Sequence, residues 1–336
     1  MQHVLLIGAG TMGKEHASAY HLMKNVKLEG IVDLNKEQAE KIRLSEETRI
    51  FQSLEDAVQN LDRIDIIDIC VPTFLHKQYV LKAAELRIDI ICEKPLAYNL
   101  DDAKEMIEYC QKKNVKLFVG HVVRFFPQYI KARELVKKGL IGEVGVVRTK
   151  RGGSFPEGWE DWYADLDKSG GVLLDLMIHD FDFLRWTFGE VERVYSKGLA
   201  GCDVGRLDYA LVTLRFKSGV IAHVEGTWAH RIFSTQFELA GKEGIIDYDS
   251  LKEEPILLDV RINKKEKGGV AVPQSPLQKS PYFVELEHFL HCLRDGVTPI
   301  VTADDAYKAM EISHAALQSL KTGIPVTLGS RGGILE

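Results

Sequence analysis

Cysteine is scarce in this chain and follows no pattern. Cys70, Cys92, Cys110, Cys202 and Cys292 are scattered through 336 residues. None forms a C-x-x-C pair, so neither a disulfide framework nor a zinc site is expected, and no metal enters the reading. An excess of charge of one sign is lacking as well: 43 Lys and Arg stand against 49 Asp and Glu, a formal net charge of −6. That balance gives no electrostatic reason to expect a nucleic acid or an anionic membrane as partner. Long apolar runs are missing too. The N-terminus is apolar only over "VLLIGAG", without a basic leader or a small-residue cleavage site, and nothing approaches the length that spans a bilayer. The expected location is the cytoplasm. There is no internal repeat and no low-complexity tail. With 45% hydrophobic residues, the chain is long enough to bury a substantial core and to divide into two domains. Its partner is expected to be a small molecule.

The first 33 residues are the most explicit. "HVLLIGAGTMGKEHASAYHL" runs from a short apolar stretch through Gly8, Gly10 and Gly13 into a helical pattern. This is the setting a dinucleotide fingerprint requires: Gly8 for the tight turn, Gly10 for approach of the backbone to a pyrophosphate, Gly13 for close packing of helix on strand. The helix start, at Thr11 and Met12, offers N–H groups to the phosphates. A glycine turn with no ligand is the competing reading of the motif alone. However, a second strand, "KLEGIVD", ends at Asp33, where a carboxylate would accept hydrogen bonds from an adenosine ribose. The same charge repels a 2′-phosphate, and no arginine follows in "DLNKEQ", which favours NAD over NADP. Capping the helix that begins near Lys36 is the rival task for Asp33.

Strands and helices go on alternating: "DIIDICVPT", "FLHKQYVLKAAELR", "IDIICEKP", "LDDAKEMIEYCQKKN", "VKLFVGHVV". The alternation implies an α/β, doubly wound parallel sheet over residues 1–121, with ligands outside the carboxyl ends of its strands. Pro72, Thr73 and His76 sit at one such end and Glu93, Lys94 and Pro95 at another, so the two charges of "EKP" are expected at the rim, facing a cofactor. Over residues 122–336 the pattern differs. A helix from about Pro127 to Lys138 ends at Gly139, and period-two alternation in "DYALVTLRFKSGVIAHVEGTW" predicts a hairpin with Ala210, Val212, Leu214 and Phe216 on one face and Leu211, Thr213 and Arg215 on the other. Further strands are expected in "VERVYSKGLAG", "QFELAGKEGIIDYD" and "PILLDVRIN", a polar loop in "EKGGVAVPQSPLQKSP", and two helices near the end. This second part reads as α+β with a mostly antiparallel sheet.

"KSGGVLLDLMIHDFDFLRWTFGEV" carries the second group of candidates. Asp175 and His179 are four residues apart, so a continuous helix would place them on one face, with Gly170 and Gly171 at its start. A buried, hydrogen-bonded histidine is the bland alternative. Beside a nicotinamide domain, the histidine fits the base that removes a hydroxyl proton.

Taken together, "GAGTMG", "VPTFLH", "EKPLA", "GHVVRFFP" and "SGGVLLDLMIHDFDFLRW" resemble the glucose-fructose oxidoreductase, inositol dehydrogenase and rhizopine catabolism (Gfo/Idh/MocA) family along essentially the whole chain. The resemblance implies a Rossmann domain followed by an open, mostly antiparallel sheet with helices on one face, whose uncovered face makes dimers or tetramers. It implies Lys94 as the catalytic lysine, with a cis bond before Pro95, and Asp175 and His179 completing the set. Arg124 would line the substrate pocket, as would Trp162 and Tyr282, for which core packing is an equal reading. The expected activity is NAD-dependent oxidation of a secondary alcohol of a sugar, inositol or related polyol. Two rivals stay open, an NAD-dependent glycosidase and a ligand sensor without turnover. Which of Lys94 and His179 is the base also stays open.

Overall fold

The computed structural model describes residues 1–200, 207–252, 256–260 and 279–329. Cys202 and most of the polar loop, up to residue 278, lie outside the described residues, as does the end of "PILLDVRIN". The chain forms two compact units, Met1–Phe125 with Lys279–Tyr307, and Phe126–Gln278 with Lys308–Glu336. The sequence reading cut the chain once, after residue 121. The late stretch joins the first unit because Phe283, Leu286, Phe289 and Leu290 pack with Val4, Tyr20, Ile91 and Phe118 in one apolar cluster.

In the first unit the order is β1 (Gln2–Ile7), α1 (Thr11–Leu22), β2 (Val26–Val32), α2 (Lys36–Ile42), β3 (Arg49–Phe51), α3 (Leu54–Asn60), β4 (Ile66–Ile69), α4 (His76–Glu85), β5 (Asp89–Glu93), α5 (Leu100–Lys113) and β6 (Leu117–Gly120). The six strands pair in parallel in the order β3-β2-β1-β4-β5-β6. This order reverses between β1 and β4, the switch point beside which dinucleotides bind in such sheets. Helix starts follow local chemistry: Asn35, Ser53 and Asn99 each accept a hydrogen bond from a backbone N–H in the first turn of α2, α3 and α5. β3 and α3 escaped the sequence reading, since "RIF" is too short to show a period.

The second unit begins with α6 (Pro127–Lys137) and β7 (Val144–Ser154). The short helices α7 (Leu166–Ser169) and α8 (Gly171–Asp175) follow, then α9 (Ile178–Phe188), β8 (Val191–Ala200), β9 (Leu207–Phe216), β10 (Ile221–Thr227), β11 (Ala229–Gly241), β12 (Gly244–Asp249) and β13 (Ile256–Val260). After α10 (Pro281–Asp295) of the first unit come α11 (Ala303–Thr322) and β14 (Val326–Thr327). The sheet runs β13-β12-β11-β7-β10-β9-β8-β14, antiparallel except for the parallel pair β7 and β10. The hairpin alternation is as read: Ala210, Val212, Leu214 and Phe216 are fully buried, while Leu211 and Arg215 are exposed. The parallel member β7 went unread because Arg148, Lys150 and Arg151 break its apolar pattern. Among the described residues, no helix is long and apolar enough to cross a membrane.

Candidate active site

Each glycine of the first turn has a measurable task. Gly8 has φ +100°, and a Cβ there would stand 2.5 Å from the Cys70 carbonyl oxygen, so only glycine lets the exits of β1 and β4 meet. At Gly13 a Cβ would lie 2.0 Å from the Gly8 carbonyl oxygen, which puts the first turn of α1 directly on the loop. Gly10 is exposed, with nothing within 4 Å of where its Cβ would be. It precedes α1 without any side-chain cap, so no capping side chain competes with a pyrophosphate for the N–H groups of the helix start. Asp33 Oδ2 accepts the Ala9 N–H at 2.7 Å and Oδ1 accepts the Asn35 N–H at 2.8 Å. The cap of α2 is Asn35 and not Asp33. Asp33 therefore steadies the glycine turn, and its remaining lone pairs can take ribose hydroxyls. This open cradle fits NAD.

At the tip of β5, Lys94 is half-buried and the Lys94–Pro95 bond is cis, as the resemblance implied. Glu93 departs from expectation. It is 5% exposed and turns inward instead of facing the rim. Its Oε2 accepts the Lys94 N–H at 3.0 Å, and its Oε1 lies 3.2 Å from His16 Nε2. Burial alone would raise the Glu93 pKa, but His16 and then Lys94 hold it below the usual carboxylate range. His16, on the inner face of α1, also places Nδ1 2.8 Å from Asp68 Oδ2. The Tyr20 hydroxyl donates to the same oxygen at 2.7 Å. Sequence reasoning missed His16, whose only signal is its place one turn after Gly13 on the buried face of α1. His16, Asp68 and Cys70 have donor atoms within 4.8 Å of one another, and hydrogen bonds inside the group already engage them.

Three other expected residues of this unit are packed in place. His76 is 1% exposed and sets Nε2 2.9 Å from the Val71 carbonyl oxygen and Nδ1 2.9 Å from that of Pro95, stapling the tips of β4 and β5. Burial lowers its pKa, and the ring acts as a strut beside Pro72 and Thr73. Arg124 is 2% exposed and donates to the Ile300 carbonyl at 2.7 Å and to Asp305 Oδ2 at 3.2 Å. Its guanidinium ties down the start of α11, a placement unlike the pocket-lining one expected. Tyr282 has its ring 6.5 Å from that of His16, and burial, then Glu93, pushes its hydroxyl up to about 12.

In the second unit the expected single helix is broken. Asp175 closes α8 and His179 is the second residue of α9, with Leu176 and Met177 between. At the break Met177 packs on β10, where a Cβ at Gly226 would meet its Cγ at 2.3 Å. The Met177 side chain thus presses onto the sheet at the break. Both Asp175 and His179 are half-buried. The next residue, Asp180, is 1% exposed and pairs with Arg151 of β7, Nε to Oδ2 at 2.7 Å, while Arg151 Nη2 donates to the Tyr129 hydroxyl at 3.1 Å. Gly170, at φ +68°, marks the start of α8. Trp162 is buried and lies 4.0 Å, ring to ring, from Tyr163. Tyr163 in turn faces Trp228, itself packed on Phe155.

Residues 2–121 match the family model described as an oxidoreductase family with an NAD-binding Rossmann fold, and residues 129–247 match the GFO/IDH/MocA C-terminal domain. The chain is 30% identical over 328 residues to a myo-inositol 2-dehydrogenase of Thermotoga maritima, covering 94% of this chain and 95% of that one. It is 31% identical over 341 residues to a scyllo-inositol 2-dehydrogenase (NAD(+)) of Bacillus subtilis, covering 96% and 95%. The crystal structure of a probable dehydrogenase from Thermotoga maritima matches with a TM-score of 0.80 at 30% identity, over 97% of this chain and 98% of that one.

Proposed function

The chain belongs to the Gfo/Idh/MocA oxidoreductase family, and from that membership we propose that it oxidises a secondary alcohol of an inositol, a sugar or a related polyol. The observation that carries the reading is the open glycine cradle with Asp33 beside it, in the same unit as Lys94 at the carboxyl end of β5. The names of the inositol dehydrogenases it resembles set the substrate class. Neither rival, the glycosidase or the sensor, gains support from these names. When bound, NAD supplies the acceptor for the hydride. The protein's own groups bind, orient and move the proton: His179 accepts the hydroxyl proton, Asp175 orients the imidazole, and Lys94 donates a hydrogen bond to the oxygen as it becomes a carbonyl. The reverse division, with Lys94 as base and His179 binding, uses the same residues. NAD reduction measured over inositols, aldoses, sugar acids and amino sugars tests the reading, and a panel in which no polyol is turned over would end it.

Cofactor choice rests on Asp33. The variant Asp33→Ser with Leu34→Arg, the latter position 74% exposed in the native chain, exchanges a charge that repels a 2′-phosphate for one that attracts it. The ratio of kcat/KM for NAD over NADP is expected to fall by about tenfold or more. A wild-type enzyme that already prefers NADP would refute the role of Asp33.

Assembly follows from the outward face of the eight-stranded sheet. Leu199 is 58% and Leu211 40% exposed there, among pairs such as Lys150 with Glu225 at 3.1 Å. A face with both apolar anchors and charges suits self-association. Light scattering is expected to give a homodimer or homotetramer, and a monomer at micromolar concentration would contradict it. The cysteines Cys70, Cys92, Cys110 and Cys292 are free and buried, which suits a cytoplasmic location.

A further inference from the structure

The buried cluster under the "EKP" tip has more order than packing requires. His16 is fully buried and both of its ring nitrogens face carboxylates: Nδ1 is 2.8 Å from Asp68 Oδ2, and Nε2 is 3.2 Å from Glu93 Oε1. Nδ1 is hydrogen-bonded to Asp68, while Nε2 and Glu93 Oε1 meet as a buried ion-pair contact outside hydrogen-bond geometry, and a carboxylate on each side of a fully buried ring is compensated only by a ring that carries both protons. The far side of Glu93 is shaped as well. A Cβ on Gly120 of β6 would stand 3.1 Å from Glu93 Oε1, so glycine there leaves the carboxylate just enough room. The other carboxylate oxygen accepts the N–H of Lys94.

We propose that His16 is a positioning residue of the Lys94 site: held as an imidazolium between Asp68 and Glu93, it fixes the Glu93 carboxylate, which in turn fixes the backbone from which the Lys94 side chain departs. The inference rests on the reading of Lys94 given above. The groups around the ring agree with this state. Asp68 of β4 and Glu93 of β5 supply two negative charges, and the Tyr20 hydroxyl donates to Asp68. The Cys70 thiol, 3.3 Å from Nδ1, has its pKa raised by burial and then by Asp68, and stays protonated. From α10, Tyr282 closes over the ring while its own pKa is raised by burial, Glu93, Glu285 and Glu15. Burial is the largest single influence and lowers the His16 pKa, but the charges and hydrogen bonds of Asp68 and Cys70 together raise it well above the ordinary 6.5. A raised folded-state value means that the stability it contributes is complete below about pH 6.5 and is lost as pH climbs through that raised value.

Two measurements decide the matter. In wild-type protein labelled with 15N-histidine, the ring nitrogens of His16 should both report N–H and not titrate between about pH 6 and 9. A single neutral tautomer in that range would overturn the proposal, whatever the variants do. In His16→Gln, kcat is expected to fall by about tenfold to 100-fold, with KM for the polyol and for NAD changed less than about threefold, because misplacement of a reacting group acts on turnover. With the imidazolium gone, burial raises the Glu93 pKa, so kcat of His16→Gln should acquire a new fall toward acid pH. That fall should disappear in His16→Gln with Glu93→Gln. A purely structural histidine would lower the unfolding midpoint and leave the pH profile unchanged, which counts against the proposal. Lys94→Ala in the same assay separates the two ideas. If it is inactive while His16→Gln turns over like wild type, His16 is not a positioning residue. If Lys94→Ala is itself fully active, the reading of Lys94 falls, and with it the positioning role.

Discussion

Lys94→Ala is expected to lower kcat by about 100-fold or more while NAD affinity stays nearly unchanged. Lys94 is the first residue past the carboxyl end of β5, in the sheet whose order reverses between β1 and β4. Pro95 restricts the backbone on one side of it. Glu93, buried and bonded to the Lys94 N–H, anchors it on the other. The lysine is thus aimed, and the loss is that of a positioned proton-transfer or oxyanion-type group. The pyrophosphate cradle at Gly10 and the contact of Asp33 with Ala9 involve other residues, which is why binding should survive. Initial rates and NAD titration on the same folded preparation check both halves. His179→Ala should give a similar loss. If His179 is the base, it should also remove the limb on which kcat/KM rises with pH. Near-wild-type turnover in Lys94→Ala with NAD bound would return "EKP" to the status of a structural turn.

Removing either partner of the Arg151–Asp180 pair is expected to cost about 3–5 kcal/mol of stability, because the other is left as an uncompensated buried charge. Both side chains are almost fully enclosed, 5% and 1% exposed. Tyr129, which shares Arg151, is packed edge-on against Phe183 at 4.8 Å and beside Phe237 at 5.2 Å, so the pair lies against an aromatic cluster. Asp180 also lies in the first turn of α9, where a negative charge is favoured by the helix dipole. Arg151→Ala and Asp180→Ala should each lower the urea midpoint at constant m-value. Arg151→Met combined with Asp180→Leu should recover most of the loss, since a well-packed apolar pair avoids desolvation altogether. A single variant that unfolds at the wild-type midpoint would show that the pair is not what pins the helix bearing His179 to the sheet.

Features with a local cause were legible in the sequence. The glycine turn is dictated by three residues within one loop, and the period of β9 and β10 by their alternation, so both could be read directly. The cis bond before Pro95 came through the family resemblance alone. Features that depend on residues far apart in sequence were not legible. Nothing near Glu93 indicates that it turns inward, because the compensating charge is His16 on another helix. The helix assumed from Asp175 to His179 is interrupted at Leu176 and Met177, where Met177 packs on Gly226 of a distant strand. Arg124 looked like a pocket residue until Ile300 and Asp305 claimed its guanidinium, and α10 joined the first unit through apolar contacts that no local pattern announces. β7 was hidden for a related reason: its charges find partners across the sheet, as Lys150 does with Glu225.

The fate of the hydrogen on the reacting carbon tests the dehydrogenase reading most directly. A polyol found by the NAD screen, deuterated at the carbon that bears the reacting hydroxyl, should yield NADH that carries the deuterium in equal amount to the ketone formed. Ketone that accumulates while the NADH formed carries no deuterium would contradict it, because the hydrogen of the reacting carbon would then not have gone to the nicotinamide.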